Sequence, residues 1–154
     1  MRVLLQRVSS ARVSVKDREI GRIGKGLLLF VGVGREDGQM DLDYMVGKVN
    51  SLRIFEDDSG KINRSLREIG GELLLISQFT LYGDCSRGRR PSFDEAASLA
   101  KARVVYDDLI AGFRASGVNV QTGEFQATME VELVNNGPAT FFIESPGIDR
   151  RDGV

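Results

Sequence analysis

The sequence predicts an α+β fold: a single domain of mostly antiparallel, barrel-like β-sheet covered by two main helices. Three observations predict it. Apolar residues recur at helical spacing in two stretches, 42–52 and 99–113. Much of the remainder alternates apolar and polar residues with period two, as strands with one wet face do. Residues 27–33 and 72–76 are instead continuous apolar runs, the pattern of strands buried on both faces. At 154 residues the chain can bury roughly 70% of its unfolded surface without disulfide or metal staples.

Residues 2–8 read as a first strand, and Ala11, Val13 and Val15 alternate with Arg12, Ser14 and Lys16 in a second. A turn at Asp17-Arg18 leads to a return strand over 19–23. Residues 24–26 punctuate, and the apolar run 27–34 follows. Its glycines suggest a phosphate loop, but Gly32-Val33-Gly34-Arg35-Glu36-Asp37-Gly38 lacks the Gly-Lys-Ser/Thr ending, so close packing at a strand end explains them better. Asp37 or Asp41 is placed to cap the first helix, whose stripe is Leu42, Met45, Val46, Val49 and Leu52. Residues 52–56 begin the next strand, and Asp57-Asp58-Ser59-Gly60 reads as a solvated turn because the twelve-residue calcium-loop spacing is absent.

The segment 72–84 then changes character within one strand. Its apolar half ends in Ser77-Gln78-Phe79-Thr80, which delivers polar atoms to a fixed place, either a site or a capped strand end. The loop 85–91 carries Arg87, Arg89 and Arg90, which are phosphate-gripping forks or a solvated loop. Ser92 or Asp94 opens the second helix, with Leu99, Ala102, Val105, Tyr106, Leu109, Ile110 and Phe113 as its core stripe and Gly117 as its stop. Tyr106 is therefore packing. Val118, Val120 and Thr122 alternate, as do Met129, Val131 and Leu133, and Asn135-Asn136-Gly137-Pro138 is a turn before a last strand at 139–143. Residues 1–145 form the domain, and 146–154 read as a flexible tail.

Composition narrows the chemistry. Twenty-one basic and 22 acidic residues give a net charge of −1, so a polyanion must be held by a local patch. The single cysteine, Cys85, fits a reducing compartment, and the apolar start is too short for a signal peptide. No run approaches the ~20 apolar residues of a membrane span, and the expected location is cytoplasmic. There is no histidine, which excludes Ser-His-Asp and Cys-His systems and His-rich zinc sites within one chain. No metal and no cofactor is expected.

Two segments stand out together, Ser77-Gln78-Phe79-Thr80-Leu81 and Asn135-Asn136-Gly137-Pro138-Ala139-Thr140. This pair resembles the D-aminoacyl-tRNA deacylase family, whose signatures are a Ser-Gln-Phe-Thr-Leu strand end and an Asn-x-Gly-Pro-Val-Thr loop. Collinear similarity continues at residues 1–10, 52–55, 71–73 and 88–93, and at Thr122-Gly123 with Phe125 and Met129, so it spans about residues 1–145. Ala139 departs from the usual valine, and Gly83 from a common alanine.

The resemblance implies hydrolysis of the ester between a D-amino acid and the terminal adenosine of tRNA. It further implies a homodimer in which Gly137-Pro138, joined by a cis peptide, enters the partner's pocket and excludes L side chains by collision with rigid backbone. Achiral glycyl-tRNA would then be accepted. Three activations of the attacking group are open: Thr80 as a nucleophile, a carboxylate such as Asp84 as base, or the 2′-hydroxyl of the substrate's own ribose, with N–H groups near Phe79 and Thr80 holding the oxyanion. The resemblance points to the third, with Ser77 and Gln78 as polar lining, Phe125 and Met129 at the adenine, and Arg87, Arg89 and Arg90 on acceptor-stem phosphates. Two other classes remain open: a non-catalytic RNA-binding dimer, for which 7% aromatic content and no Trp supply little stacking surface, and a hydrolase of another small ester.

Overall fold

The two continuous apolar runs become neighbouring parallel strands in the middle of one curved sheet. In the computed structural model, which describes residues 1–147, these are β3 (Gly26–Gly32) and β6 (Glu72–Ser77), in register from Gly26 opposite Glu72 to Val31 opposite Ser77. Their side chains divide by parity between two cores. Leu27, Leu29, Val31, Leu73 and Leu75 face the helices, while Leu28, Leu74 and Ile76 face the inside of the curved sheet with Val8, Val13 and Ile23. Both faces are dry, which is why neither run alternates.

The element order is β1 (Arg2–Val15), β2 (Arg18–Ile23), β3, α1 (Gln39–Ser51), β4 (Phe55–Glu56), β5 (Ile62–Arg64), β6, α2 (Leu99–Ala115), β7 (Asn119–Thr122) and β8 (Glu130–Glu144). The main sheet runs β2-β1-β3-β6-β7, with β8 on β1, and β4-β5 is a separate ribbon. Pairings with β1 are antiparallel, whereas β3-β6 and β6-β7 are parallel, because α1 and α2 lie in those two connections. The outer strands β2 and β7 nearly meet. A Cβ on Gly21 would sit 3.0 Å from the Thr122 carbonyl oxygen, so the missing side chain lets the barrel close.

Several boundaries differ from expectation. The two expected N-terminal strands are one, because β1 pairs first with β3 and then with β2 while β8 follows its other side. The turn falls on Lys16-Asp17, with φ of 49° and 62°, one residue early. The N-cap of α1 is Gly38, whose N–H donates to Asp41 at 2.9 Å; Asp37 accepts instead from the Met1 amino group at 2.5 Å and from the Gly34 N–H at 2.6 Å. Leu52 ends that helix, so the strand at 52–56 shrinks to Phe55–Glu56.

The second helix begins later than Ser92 or Asp94. Its cap is Ser98, whose hydroxyl accepts the Lys101 N–H at 3.3 Å. The chain before it is committed elsewhere, since Ser92 bridges Asp84 and Ala97 N–H donates to the Val33 carbonyl. Tyr106, Leu109, Ile110 and Phe113 are buried as expected, but Leu99 is 60% exposed. The Asn135–Pro138 turn does not separate two strands. Asn135 pairs with Val8 and Thr140 with Gln6, so Arg7 alone faces residues 136–139, which bulge from the continuous β8 with a cis peptide at Gly137-Pro138. The tail expected at 146–154 lies, from residue 148 onward, outside the described residues. Neither helix is long and apolar enough to cross a membrane.

Candidate active site

At the end of β6 the chain is pinned by the Gln78 N–H, which donates to the Val31 carbonyl at 2.7 Å, and then enters a 3-10 turn over Phe79–Tyr82. A 3-10 turn bonds each N–H to the third carbonyl before it, as Leu81 N–H does to Gln78 at 3.2 Å. Its first two N–H groups, on Phe79 and Thr80, receive no acceptor from the turn itself. Its far end is anchored by Arg2, which donates to the Leu81 carbonyl at 3.2 Å and covers the Tyr82 ring at 4.4 Å. The Tyr82 hydroxyl donates to Asp37 at 3.4 Å, and burial, with that carboxylate beside it, pushes its pKa up. Tyr82 is thus a neutral brace.

Ser77, Gln78 and Phe79 line a cleft of about 680 Å³ whose other walls include Phe93, Leu99, Phe125 and Met129. The Phe79 ring meets Phe93 edge-on with centroids 5.0 Å apart. Phe125 packs on Tyr106 at 5.9 Å and under the Arg103 guanidinium at 5.2 Å. Gly123 makes room for Met129, since a Cβ there would lie 2.5 Å from its sulfur. Phe125 and Met129 also pack on the two cores, so each serves structure and cleft together. Leu99, expected in the core, is cleft wall instead. Among the described residues no ionisable side chain lines this cleft.

Thr80 is not among the lining residues; it is exposed, and its hydroxyl accepts a hydrogen bond from the Gln78 carboxamide. Among the described residues no base is bonded to it. Asp84 is also outside the cleft, and its carboxylate accepts the Ser86 N–H at 2.8 Å. The Ser86 side chain and backbone together hold the Asp84 carboxyl below its ordinary range, which suits a loop anchor and not a general base near neutrality. Tyr106 donates its buried hydroxyl to the Leu75 carbonyl at 2.9 Å, with burial raising its pKa, so it is packing as expected.

The arginine loop is tied at its base by paired backbone bonds between Asp84 and Ser92, of 2.7 and 3.0 Å. Arg87, Arg89 and Arg90 are exposed on it and form no ion pair among the described residues. The loop connects the turn bearing Phe79 to Phe93, so it rises from the cleft's rim. Among the described residues no group of three His, Cys, Asp or Glu is arranged to hold a metal.

Gly137 and Pro138 are not part of this cleft in the same chain. Their bulge faces Arg7, which pairs with Leu27, four residues before the Val31 that pairs with Ser77. Measured along the curved sheet, four strand steps are about 13 Å, and the three strand widths from β8 through β1 and β3 to β6 add about 14 Å. Arg7 itself was missed by sequence reasoning. It is 6% exposed, has no carboxylate partner among the described residues, and donates to the Asn136 carbonyl at 2.8 Å and the Ile54 carbonyl at 2.5 Å. Asn135 closes the bulge by donating to the Arg7 carbonyl at 3.0 Å. The signal was parity: Arg7 continues the inward-facing series Val3 and Leu5, where a charge needs a reason.

The profile of the D-Tyr-tRNA(Tyr) deacylase family matches residues 4–144. A D-aminoacyl-tRNA deacylase of Thermotoga petrophila is 50% identical over 145 residues, 94% of this chain and 97% of that protein. One from Desulfitobacterium hafniense is 52% identical over the same shares of the two chains. Among solved structures, the c-Myc DNA unwinding element binding protein superposes with a TM-score of 0.90 at 36% identity, covering 96% of this chain and 100% of its own. The structure of a probable eukaryotic D-amino acid tRNA deacylase has a TM-score of 0.80 at 21% identity, a likeness of fold alone. With a family match over nearly the whole length, and half of the residues shared with these relatives, this chain belongs to the D-Tyr-tRNA(Tyr) deacylase family.

Proposed function

We propose that this enzyme, a D-aminoacyl-tRNA deacylase, lets its substrate's own ribose do the acid–base work. The observation that carries the reading is the absence, among the described residues, of any ionisable side chain from the cleft lining. Water adds to the ester carbonyl while the adjacent 2′-hydroxyl takes and returns its proton. The oxyanion is held by the Phe79 and Thr80 N–H groups, which the turn leaves without acceptors. The tetrahedral intermediate collapses, the C–O bond to the 3′-oxygen breaks, and that oxygen leaves as a hydroxyl. The products are a free D-amino acid and tRNA. Thr80 contributes its backbone and holds the Gln78 carboxamide through its hydroxyl.

Chirality is read by a second copy of the chain. The distance of Gly137 and Pro138 from their own cleft supports a homodimer in which each bulge reaches the partner's cleft and sets backbone where an L side chain would project. Glycine presents no side chain to collide, so glycyl-tRNA is accepted. Arg87, Arg89 and Arg90 hold acceptor-stem phosphates, which makes binding weaken with salt, with a shallower slope when all three are replaced. The work is proofreading in translation, in the cytoplasm.

The exposed arginines and the structural likeness to a protein named for DNA binding favour one other reading, a non-catalytic nucleic-acid binder. Incubation with matched D- and L-tyrosyl-tRNA separates the two: release of D-tyrosine alone is expected, and binding without release sinks the hydrolase. A substrate ending in 2′-deoxyadenosine should be nearly inert while Thr80→Ala stays active. The reverse pattern makes Thr80 the nucleophile.

A further inference from the structure

Three described residues other than glycine have positive φ: Lys16, Asp17 and Gln126. The first two form the β1-β2 hairpin turn, where the right-handed twist of the strands requires that conformation. Gln126, with φ of 65°, sits in a tight turn closed by the Ala127 N–H on the Glu124 carbonyl at 3.2 Å. Glycine would meet the backbone requirement without steric cost. The chain instead places its longest neutral polar side chain there, exposed and on the cleft wall beside Phe125. Strain held at a site, rather than at a structural turn, points to a use for the side chain.

The polar inventory of the cleft narrows that use. Ser77, Gln78 and Gln126 are the polar side chains among its lining residues. The Gln78 carboxamide is bonded to Thr80, whereas the Gln126 carboxamide has no hydrogen-bond partner among the described residues. It therefore has both a donor and an acceptor to offer a ligand. It follows Phe125 directly and shares the cleft lining with Met129, on the segment between β7 and β8, whereas the N–H groups of Phe79 and Thr80 belong to the turn after β6. Phe125, held between Tyr106 and the Arg103 guanidinium, and the Met129 thioether make that wall apolar, and a coplanar donor–acceptor pair beside it matches the edge of adenine, whose N6 amino group lies beside a ring-nitrogen acceptor.

We infer that Gln126 is a specificity-determining residue of this enzyme, pairing through its carboxamide with the N6 amino group and adjacent ring nitrogen of the substrate's terminal adenine. The inference rests on the deacylase reading above. Because the contact is remote from the ester, it acts on binding: KM carries the effect and kcat does not.

The test compares wild type, Gln126→Ala and Gln126→Gly on D-tyrosyl-tRNA ending either in adenosine or in purine riboside, which lacks the amino group. Wild type should show a KM higher by about tenfold on the purine substrate, the scale of one lost pairing contact. Both variants should show that rise already with adenosine and should no longer distinguish the two substrates. Gln126→Gly should also melt higher by roughly 2–4 °C, because it relieves the left-handed backbone. An unchanged KM in Gln126→Ala, or a variant that still senses loss of the amino group, overturns the inference while leaving the deacylase reading intact. Should wild type release no D-tyrosine from either RNA, that reading fails, and binding of 3′-(D-tyrosylamino)-3′-deoxyadenosine decides the base contact alone. Equal affinity in wild type and Gln126→Ala then overturns it, and weaker affinity in the variant supports it.

Discussion

Arg7 and Asp84 show how far a charged side chain's role depends on what it faces. Arg7 is a buried cation whose visible partners are backbone carbonyls at Asn136 and Ile54, so it fixes the bulge without touching the cleft. Arg7→Met keeps the apolar stem but leaves these acceptors unpaired, at a cost of about 2–4 kcal/mol read by urea denaturation. The same variant should lose discrimination between D- and L-tyrosyl-tRNA before it loses hydrolysis of the D form; unchanged discrimination would separate Arg7 from chiral selection. Asp84 is the opposite case. Its hydrogen bonds from Ser86 favour the charged form, so its pKa is depressed and it stays ionised to lower pH than an ordinary aspartate. Asp84→Asn should leave the pH profile of kcat/KM between pH 5 and 8 superimposable on that of wild type. An acidic limb that disappears in the variant would restore Asp84 as the base.

At the scale of elements, the cleft depends on how β3 and β6 lie together, because Val31 holds the Gln78 N–H where the turn begins. Gly26 sets that pairing at its start. A Cβ there would overlap the Glu72 backbone carbonyl of the neighbouring strand, which no rotamer change can relieve. Gly26→Ala is expected to destabilise the protein by about 3 kcal/mol or more, visible as a lower urea midpoint. A neutral result would mean that the strands can part without cost. The 3-10 turn is legible only in part from sequence. Ser77-Gln78-Phe79-Thr80 marks a change of character, but a continuation of the strand fits the same letters. What bends the chain is tertiary: Arg2 from β1 caps the Leu81 carbonyl, and Tyr82 turns inward to Asp37.

For the whole molecule, β8 matters most. It has one strand neighbour, β1, among the described residues, and along its length Val134 and Phe142 are 57% and 56% exposed. A long apolar strand with an open edge is a surface that associates, and the proposed dimer covers it with a second copy. Sedimentation should give twice the 16.9 kDa chain mass. Phe142→Glu should give a folded monomer that melts cooperatively and hydrolyses L-tyrosyl-tRNA as well as the D form, because the bulge from the other subunit is lost. A monomer that still rejects L-tyrosyl-tRNA would place the chiral filter within one chain.

Local pattern determined a good deal by itself. Period-two alternation placed the strands, the buried stripe of α2 from Tyr106 to Phe113 followed from 3-4 spacing, and the continuous runs marked the two-sided strands β3 and β6. The absence of histidine removed the common hydrolase systems before any geometry was known. Position along the chain could not reveal what lies opposite what. The start of α2 moved to Ser98 because Val33 and Asp84 capture the preceding backbone, Leu99 left the core for the cleft, and Arg7 became the bulge's anchor through Asn136 and Ile54. Each of these depends on a partner remote in sequence, and propensity and periodicity carry information only about neighbours a few residues away. The strand end and the Gly-Pro bulge were therefore legible as separate segments, and only the folded sheet showed that the bulge does not line the cleft of its own chain.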